Sequence, residues 1–283
     1  MSYNFFVIGG DKRMFYLAQK LVNDGNSVKI FGFDKFDYEK LLNNNIKTVQ
    51  SINDVEKDDI LLSSVPLSMD GENIYAPYSS KKIELNVLKD KKIIAGKIPE
   101  YIDGFDILTD EYTTVLNSIP SAEGAIAKAI NETNITLNDS NVLVLGYGRL
   151  GKSLCYRLKG MNANVYCEAR NEKDLAMIET NGYKAINIKE LNKKLCKMKI
   201  IFNTVPSLIM DKSRLILLKK ETVIIDLASK PGGVDYETAN KLGIKSILYL
   251  GIPGKVAPET SAEYMKRYVY KVVLQYQEQK MTK

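Results

Sequence analysis

Three glycines follow an apolar run and are spaced in a pattern that can hold a phosphate group. Residues 142–145 (VLVL) lead into Gly146, Gly148 and Gly151. In this pattern the first glycine permits a tight turn, the second lets a pyrophosphate approach the backbone, and the third allows a helix to pack closely on a strand. The free N–H groups at the start of that helix favour an anion. The sequence therefore predicts a unit that binds a nicotinamide dinucleotide.

The end of the next strand bears on the choice between NAD and NADP. In an NAD site an acidic residue about 20 positions past the glycines holds the ribose diol. In NANVYCEARN, residues 162–171, strand phase places Ala169 at the tip and turns Glu168 elsewhere, with Arg170 and Asn171 following. An arginine without a carboxylate suits the 2′-phosphate of NADP, which we predict as the cofactor. A register shifted by one residue would place Glu168 at the ribose and favour NAD.

Two polar loops follow later strands of the same unit. They are NTVPS at 203–207 and DLASKPGG at 226–233. Polar groups at the carboxyl ends of parallel strands line the crevice where ligands bind, so both loops are predicted to face the cofactor. The predicted cofactor-binding residues are Gly146, Tyr147, Gly148, Arg149, Leu150, Gly151, Ala169, Arg170, Asn171, Asn203, Thr204, Val205, Pro206, Leu227 and Ala228.

The chain contains no histidine, which excludes every mechanism with a histidine base, nucleophile or metal ligand. Proton transfer has to use a carboxylate, Lys, Tyr, Cys, water or the substrate itself. The candidates are Glu123, near the start of a predicted helix, and Asp226, at the end of a predicted strand, with Lys230 as a nearby cation. Alternative roles remain open, because Glu123 would also stabilise a helix start and Asp226 a turn.

Apolar runs alternate with amphipathic segments along most of the chain, as is typical of βαβ units and parallel sheets. We predict strands at residues 4–8, 27–33, 60–65, 93–95 and 105–108, and again at 141–145, 164–168, 200–203, 222–226 and 246–250. The predicted fold class is α/β, with two Rossmann-like doubly wound parallel-sheet domains joined by interdomain helices.

Two proline-containing segments are predicted to join the domains. NSIPS at 117–121 carries the signals of a helix start, and GIPGKVAPETS at 251–261 suits a hinge or a rigid bend. The first domain is predicted at 1–117 and the dinucleotide-binding domain, with the linking helix, at 118–255. The tail at 256–283 has a helical pattern and is predicted to pack back on the first domain, although packing on its own domain remains an alternative.

The amino-acid composition indicates which classes of binding partner to expect. Lys and Arg total 40 against 34 acidic residues, and the excess is spread without basic blocks, so we expect no nucleic-acid binding. No window holds about eighteen consecutive apolar residues, so no membrane span is expected. The three cysteines form neither a disulfide framework nor a zinc pattern, and no metal site is predicted. We expect the three cysteines to be small buried residues and the protein to be cytoplasmic.

The combination of motifs resembles the family of dipicolinate synthase A subunits over essentially the whole chain. The matching pieces are VIGGDKR at 7–13, NSIPSAEGAI at 117–126, VLGYGRLGK at 144–152, NTVPS at 203–207, DLASKPGG at 226–233 and GIPGKVAPETS at 251–261. The resemblance implies an oxidoreductase that forms dipicolinate from a dihydrodipicolinate-type precursor of the lysine pathway, with NAD(P) as hydride acceptor. It also implies a flavoprotein-like B subunit of dipicolinate synthase as partner, in the mother cell of a sporulating bacterium.

A dicarboxylate substrate requires cations once water is excluded. Given the resemblance, we expect Arg13, Lys97, Arg149 and Lys230 to supply them, with Ser118 and Ser121 as hydroxyl donors; the first domain would bind the substrate, which would lie between the domains. Aromatisation provides driving force, so a strong base is not required, and orienting the ring would be the main contribution of the protein.

Two other functions remain open. The layout more remotely resembles alanine dehydrogenases and transhydrogenase domains, so an amino- or keto-acid dehydrogenase is one alternative. A non-catalytic NADP-binding regulatory protein is the other. The sequence leaves open whether the chain forms a homo-oligomer.

Overall fold

Two parallel β-sheets organise the chain, one in each of two structural units. The computed structural model describes residues 2–36 and 46–281, with side chains up to residue 275. The first unit comprises Met1–Asn117 and Gly254–Lys283, and the second comprises Ser118–Pro253. This two-sheet α/β architecture confirms the predicted fold class.

The elements of the described residues alternate between strand and helix along much of the chain. The strands are β1 (Asn4–Ile8), β2 (Ser27–Phe31), β3 (Ile46–Thr48), β4 (Ile60–Ser63), β5 (Ile93–Ala95), β6 (Gly104–Asp106), β7 (Asn141–Leu145), β8 (Asn164–Ala169), β9 (Lys184–Asn187), β10 (Ile200–Asn203), β11 (Val223–Asp226) and β12 (Lys245–Leu248). The α-helices are α1 (Lys12–Asn23), α2 (Glu111–Asn131), α3 (Arg149–Gly160), α4 (Glu172–Thr180), α5 (Lys212–Leu215), α6 (Tyr236–Lys241), α7 (Ile252–Val256) and α8 (Pro258–Met281).

The first sheet has the strand order β3-β2-β1-β4-β5-β6, with parallel pairing throughout. Alternation along β1 sends Phe5 and Val7 to the face covered by α1 and α8, while Phe6 and Ile8 enter the core on the other face. The strand order reverses between β1 and β4. In open α/β sheets such a reversal opens a crevice at the carboxyl ends of the strands.

The second sheet has the order β12-β11-β10-β7-β8-β9, also parallel, and reverses between β7 and β10. Val142 and Val144 pack with α3, whereas Leu143 and Leu145 belong to the core on the opposite face. A strand buried on both faces needs a nearly continuous apolar run, which β7 has.

Most predicted strands are present within a few residues of their predicted ends. Two were missed, β3 and β9. Both lie at sheet edges and are short, so their sequences lack the long apolar run of a central strand. The expectation of buried thiols holds for Cys155 and Cys167 and is wrong for Cys196, which is exposed.

Much of both predicted connecting segments is helical, and the helix predicted to start at 117–121 begins earlier in the chain. Residues 117–121 lie inside α2, which begins at Glu111, and Pro120 is an interior proline. Asp110 starts this helix by accepting hydrogen bonds from the backbone N–H and hydroxyl of Thr113, a signal that lies well before the proline. The predicted hinge at 251–261 contains all of α7 and the start of α8.

The C-terminal helix shares a core with α1. Ala262, Val269 and Val273 of α8 are buried in the cluster that contains Leu17 and Leu21 of α1. None of the helices in the described part of the chain combines the length and the apolar character needed to cross a membrane.

Candidate active site

The turn between β7 and α3 is built from backbone at very short range. Gly146 has a φ of 90°, and a Cβ there would lie 2.7 Å from the Thr204 hydroxyl oxygen. A Cβ on Gly151 would overlap the carbonyl of Gly146, so only glycine lets α3 pack so closely on the turn. The first and third glycines of the pattern are therefore required by the fold itself.

Gly148 differs from the other two glycines because its missing side chain leaves open space. An added Cβ would meet no described atom within 4 Å, and its φ of −76° is an ordinary value. Gly148 is the N-cap of α3 and offers no side chain to the first N–H groups of that helix. Exposed N–H groups beside a bare backbone fit the diphosphate of a dinucleotide. Arg149, the next residue, is exposed at the first position of α3.

Two other residues of the turn do not present their side chains to this space. Tyr147 is buried in the core beneath α3, and burial raises its pKa to about 12. Its hydroxyl accepts a hydrogen bond from Asn181 at 3.3 Å. Leu150 packs against the same core. The side chains of both residues thus have apolar packing partners, and the predicted contact of these two residues with the cofactor stays a prediction for their backbone groups.

The tip of β8 carries an exposed arginine and a buried acid. β8 ends at Ala169, which is buried, and Arg170 follows with its side chain exposed. Glu168 is only 1% exposed and lies one position earlier. Burial raises the pKa of Glu168, while a hydrogen bond from the Gly146 backbone and the nearby charges of Arg170 and Arg214 lower it. The Oε1 atom of Glu168 is buried and has no hydrogen-bond partner among the described residues, so no structural partner engages this end of the carboxyl group.

Asn171 has a structural role that was not predicted. It is the N-cap of α4, and its side chain accepts from the Asp174 N–H at 2.8 Å and donates to the Asp174 carboxylate at 2.8 Å. Its amide group is thus engaged by α4, and its contact with the cofactor stays a prediction.

A buried polar network joins the loops that follow β10 and β11. The Asp226 carboxylate accepts hydrogen bonds from the Asn203 amide at 2.9 Å, the Ala228 N–H at 3.1 Å, the Gly233 N–H at 2.7 Å and the Tyr236 hydroxyl at 2.6 Å. Four donors on one fully buried carboxylate leave no lone pair directed at a substrate. The geometry favours a structural role for Asp226 over that of a general base.

The side-chain amide of Asn203 forms hydrogen bonds within the same network. Its amide nitrogen also donates to the Val205 carbonyl at 3.1 Å, and its amide oxygen accepts from the Val205 N–H at 3.1 Å. Asn203 is fully buried, so it shapes the loop rather than facing a ligand. Thr204 ties this loop to the phosphate turn, because its N–H and hydroxyl both donate to the Leu145 carbonyl, at 3.0 and 2.8 Å.

The remaining loop residues differ in exposure. Pro206 and Lys230 are exposed, and Val205 and Leu227 are half-buried against the two cores of the second unit. Ala228 is buried. Of the three predicted catalytic residues, Lys230 has its side chain exposed on a loop that follows a strand of this sheet.

Glu123 and the two predicted serines all lie on α2. Glu123 is exposed and forms an ion pair with Arg157 of α3, at 3.1 Å. Ser118 is buried, and its carbonyl accepts from the Ser153 hydroxyl at 3.2 Å. Ser121 is half-buried one turn further along. The ion pair is a sufficient structural reason for Glu123, so the geometry does not favour it as a base.

In the first unit, Arg13 lies at the point where the strand order reverses. Its side chain is 7% exposed, and its Nε and Nη2 donate to the Asp11 carboxylate at 2.8–3.1 Å. Nη2 also donates to the carbonyl of Val65, which follows β4. Gly254 packs on this pair so closely that a Cβ there would overlap the Asp11 carboxylate. Asp11 was not predicted from the sequence, although its place as N-cap of α1 was a usable signal.

Lys97 occupies the same edge of the first sheet. It follows β5, is exposed, and has a φ of 54°, in the left-handed region that residues with a side chain seldom adopt. The structure thus brings Arg13 and Lys97 to the carboxyl ends of the strands on either side of β4.

Comparison with known proteins agrees with these features. Residues 4–106 match the family model for the N-terminal domain of the dipicolinate synthase A subunit. Residues 120–234 match the NAD binding domain of D-isomer specific 2-hydroxyacid dehydrogenases. The chain is 31% identical to the A subunit of dipicolinate synthase from Bacillus subtilis (strain 168), with 96% of each chain covered. The chain belongs to the family of dipicolinate synthase A subunits.

Solved structures extend the comparison. The crystal structure of the dipicolinate synthase A subunit from Bacillus halodurans superposes with a TM-score of 0.85 at 28% identity, covering 95% of this chain and 97% of that one. An L-alanine dehydrogenase superposes with a TM-score of 0.63 at 15% identity, over 95% and 90% of the two chains, and shows the fold alone. This member of the dipicolinate synthase family therefore has the NAD-binding fold of a dehydrogenase.

Replacing Gly148 by valine should remove dinucleotide binding and leave the fold intact. The open space at Gly148 admits a side chain, but that side chain would displace the diphosphate from the N–H groups of α3. We expect the Kd for the dinucleotide to rise at least about a hundredfold, since hydrogen bonds to a charged group contribute about 1.5–3 kcal/mol each. Calorimetric titration would measure the affinity, and circular dichroism the fold.

The matched variant is Gly151→Ala, which should lower the free energy of unfolding because its Cβ overlaps the Gly146 carbonyl. Unchanged affinity in Gly148→Val would contradict the assignment of this turn to the diphosphate.

Replacing Tyr236 by phenylalanine tests the Asp226 network. The change deletes one hydrogen bond of 2.6 Å to a buried carboxylate, so we expect the free energy of unfolding to fall by about 1–2 kcal/mol. The dinucleotide KM should rise, because the loops after β10 and β11 lose one of their braces. Tyr156→Phe is the control, since Tyr156 is 73% exposed on α3. Equal urea-unfolding curves for the two variants would show that the network does not brace these loops.

Proposed function

We propose that this chain oxidises a dihydrodipicolinate-type ring to dipicolinate, with a nicotinamide dinucleotide as hydride acceptor. The observation that carries the proposal is the 31% identity with a dipicolinate synthase A subunit over nearly the whole of both chains. The open turn at Gly148 supports it, because that turn suits the diphosphate of such a dinucleotide. The first unit would bind the substrate and the second the dinucleotide.

The reaction removes one hydride and one proton from the ring. A C–H bond breaks with both electrons going to the nicotinamide, the proton leaves to solvent, and the ring becomes an aromatic pyridine. A bound nicotinamide supplies the hydride acceptor. Aromatisation favours the forward direction, so the reaction has little need of a strong base. This agrees with a chain that has no histidine, and in which the Asp226 carboxylate is fully engaged by four donors.

The chain would contribute charge and orientation to the substrate. Arg13 and Lys97 at the edge of the first sheet, and Lys230 after β11, are the proposed cations for the two carboxylates. Binding a dianion away from water is costly without such partners. Arg149 remains a further candidate, through its position at the start of α3.

NADP is the proposed dinucleotide. Arg170 is exposed immediately after β8, where the 2′-phosphate of the adenosine ribose is expected, and the only neighbouring acid of the strand, Glu168, is buried. An arginine without a competing carboxylate favours a phosphate over a diol.

The family name implies a multi-subunit enzyme. We propose that a flavoprotein-like B subunit is the partner, and that the chain acts in the cytoplasm of the mother cell during sporulation, on a branch of the lysine pathway. The alternative of an amino- or keto-acid dehydrogenase has weaker support, because the likeness to L-alanine dehydrogenase is one of fold alone.

The direct test is an ultraviolet assay. The purified chain, given NADP and freshly generated dihydrodipicolinate, should form dipicolinate and NADPH in equal amounts. The control is Gly148→Val, which should bind no dinucleotide and give the uncatalysed background. A wild-type chain that binds NADP but stays at that background, also after addition of the B subunit, would contradict the proposed reaction and leave a non-catalytic regulatory role as the better description.

Replacing Arg170 by alanine should separate the two dinucleotides. The 2′-phosphate would lose a charge-assisted bond of about 1.5–3 kcal/mol, so the KM for NADP should rise at least about tenfold while that for NAD changes little. Steady-state kinetics with both dinucleotides would measure the ratio. A loss shared equally by NADP and NAD would instead indicate that Arg170 does not contact the 2′-phosphate.

A further inference from the structure

The long connection between β4 and β5 lies over the carboxyl ends of the strands in the first sheet. Hydrogen bonds to the strand ends hold its backbone in this position. The Leu67 N–H donates to the Gly96 carbonyl at 2.6 Å, and the Gly96 N–H donates to the Ser64 carbonyl at 3.2 Å. The Ser64 hydroxyl in turn donates to the Leu67 carbonyl at 3.0 Å. This segment is therefore held to the ends of both β4 and β5.

Tyr75 of this connection is also held to the end of β1. Its N–H donates to the Leu67 carbonyl at 2.8 Å, and its carbonyl accepts from the Gly10 N–H at 2.8 Å. The neighbouring residue Ala76 is so close that a Cβ on Gly9 would lie 2.8 Å from its Cβ. The backbone of Tyr75 thus lies where the strand order reverses, beside the turn that leads from β1 into α1, whose second residue is Arg13.

Arg13 by itself is an incomplete site for a carboxylate. Its Nε and Nη2 are engaged by Asp11 and by the Val65 carbonyl. Among the residues that the structure describes, Nη1 makes no hydrogen bond, so one nitrogen remains for a ligand. A carboxylate has two oxygens and about four lone-pair sites, so a second donor is required to match it.

The hydroxyl of Tyr75 is in the electric field of this ion pair. Burial raises its pKa, the Asp11 carboxylate raises it further, and the Arg13 guanidinium lowers it. The phenol is therefore protonated at neutral pH and acts as a donor. Within the described part of the chain this hydroxyl has no hydrogen-bond partner. A half-buried donor whose backbone is hydrogen-bonded to Gly10, three residues before the partly engaged Arg13, is suited to an anionic ligand at this end of the sheet.

We propose that Tyr75 is a substrate-binding residue, whose hydroxyl donates a hydrogen bond to the ring carboxylate that Arg13 contacts. This inference rests on the proposed function and assigns a residue that the sequence analysis did not select. The sequence gives only a weak indication of this role, because Tyr75 lies in a loop and is far from Arg13 along the chain. Only the backbone bonds to Gly10 and Leu67 place it at the crevice.

The test is calorimetric titration of dipicolinate into the full chain, with NADP present at a saturating concentration. Tyr75→Phe keeps the ring and deletes the donor. We expect its Kd for dipicolinate to rise about tenfold or more, since a hydrogen bond to a charged group contributes about 1.5–3 kcal/mol. Its Kd for NADP should not change. The matched control is Tyr16→Phe, because Tyr16 is a half-buried tyrosine on α1 that packs against the core of the same unit. It should bind dipicolinate as the wild type does.

The possible results distinguish a failure of the role proposed for Tyr75 from a failure of the proposed function. If wild type binds dipicolinate and Tyr75→Phe binds it equally well, the role of Tyr75 is overturned and the proposed function stands. If Tyr75→Phe weakens NADP as much as dipicolinate, or lowers the thermal midpoint markedly, Tyr75 is structural and the proposal is also overturned. If wild type binds NADP but no dipicolinate, the proposed function fails, and the role of Tyr75 with it.

Discussion

The contact between Gly151 and the carbonyl of Gly146 is the constraint on which the dinucleotide site depends. No side chain fits there, so α3 begins directly against the turn that ends β7. The N–H groups of the first helical turn and the bare backbone of Gly148 consequently lie side by side. Thr204 adds the end of β10 to the same arrangement by donating twice to the Leu145 carbonyl. The proposed anion site would therefore consist mainly of backbone dipoles, which need no reorganisation when a diphosphate binds.

The first unit treats charge differently, because its buried arginine is already paired with a carboxylate of the protein. Asp11 fixes the guanidinium of Arg13 and compensates part of its charge, which offsets part of the desolvation cost of burying it. The same pairing leaves Arg13 with limited capacity for a carboxylate. Neutral donors and a second cation then become necessary, and the edge of this sheet provides an exposed lysine, Lys97, in an unusual backbone conformation.

How well each site residue could be predicted from the sequence depends on the physical role of that residue. The glycines at 146, 148 and 151 could be assigned because a missing Cβ has a direct consequence for backbone and ligand. The roles of Asn203 and Asp226 could not be assigned from the sequence, because a polar residue at a strand end gives the same pattern whether it faces the crevice or closes a loop. Which of these occurs depends on Tyr236, ten residues further on, and on close packing at Gly233. The start of α2 was predicted too late because of Pro120, since a proline within a long helix has the same local signature as a proline at its start.

The chain has no histidine, so any proton transfer falls to other polar groups. Asp11 in the first unit is engaged by Arg13, and Asp226 in the second unit accepts from four donors, so neither carboxylate is suited to act as a base. Burial raises the pKa of Tyr75, so its phenol keeps its proton at neutral pH and does not act as a base. A site of donors and cations binds carboxylates well and removes protons poorly. It suits a reaction in which the proton leaves to water because the product is aromatic, and in which the protein mainly orients a dianion toward its oxidant.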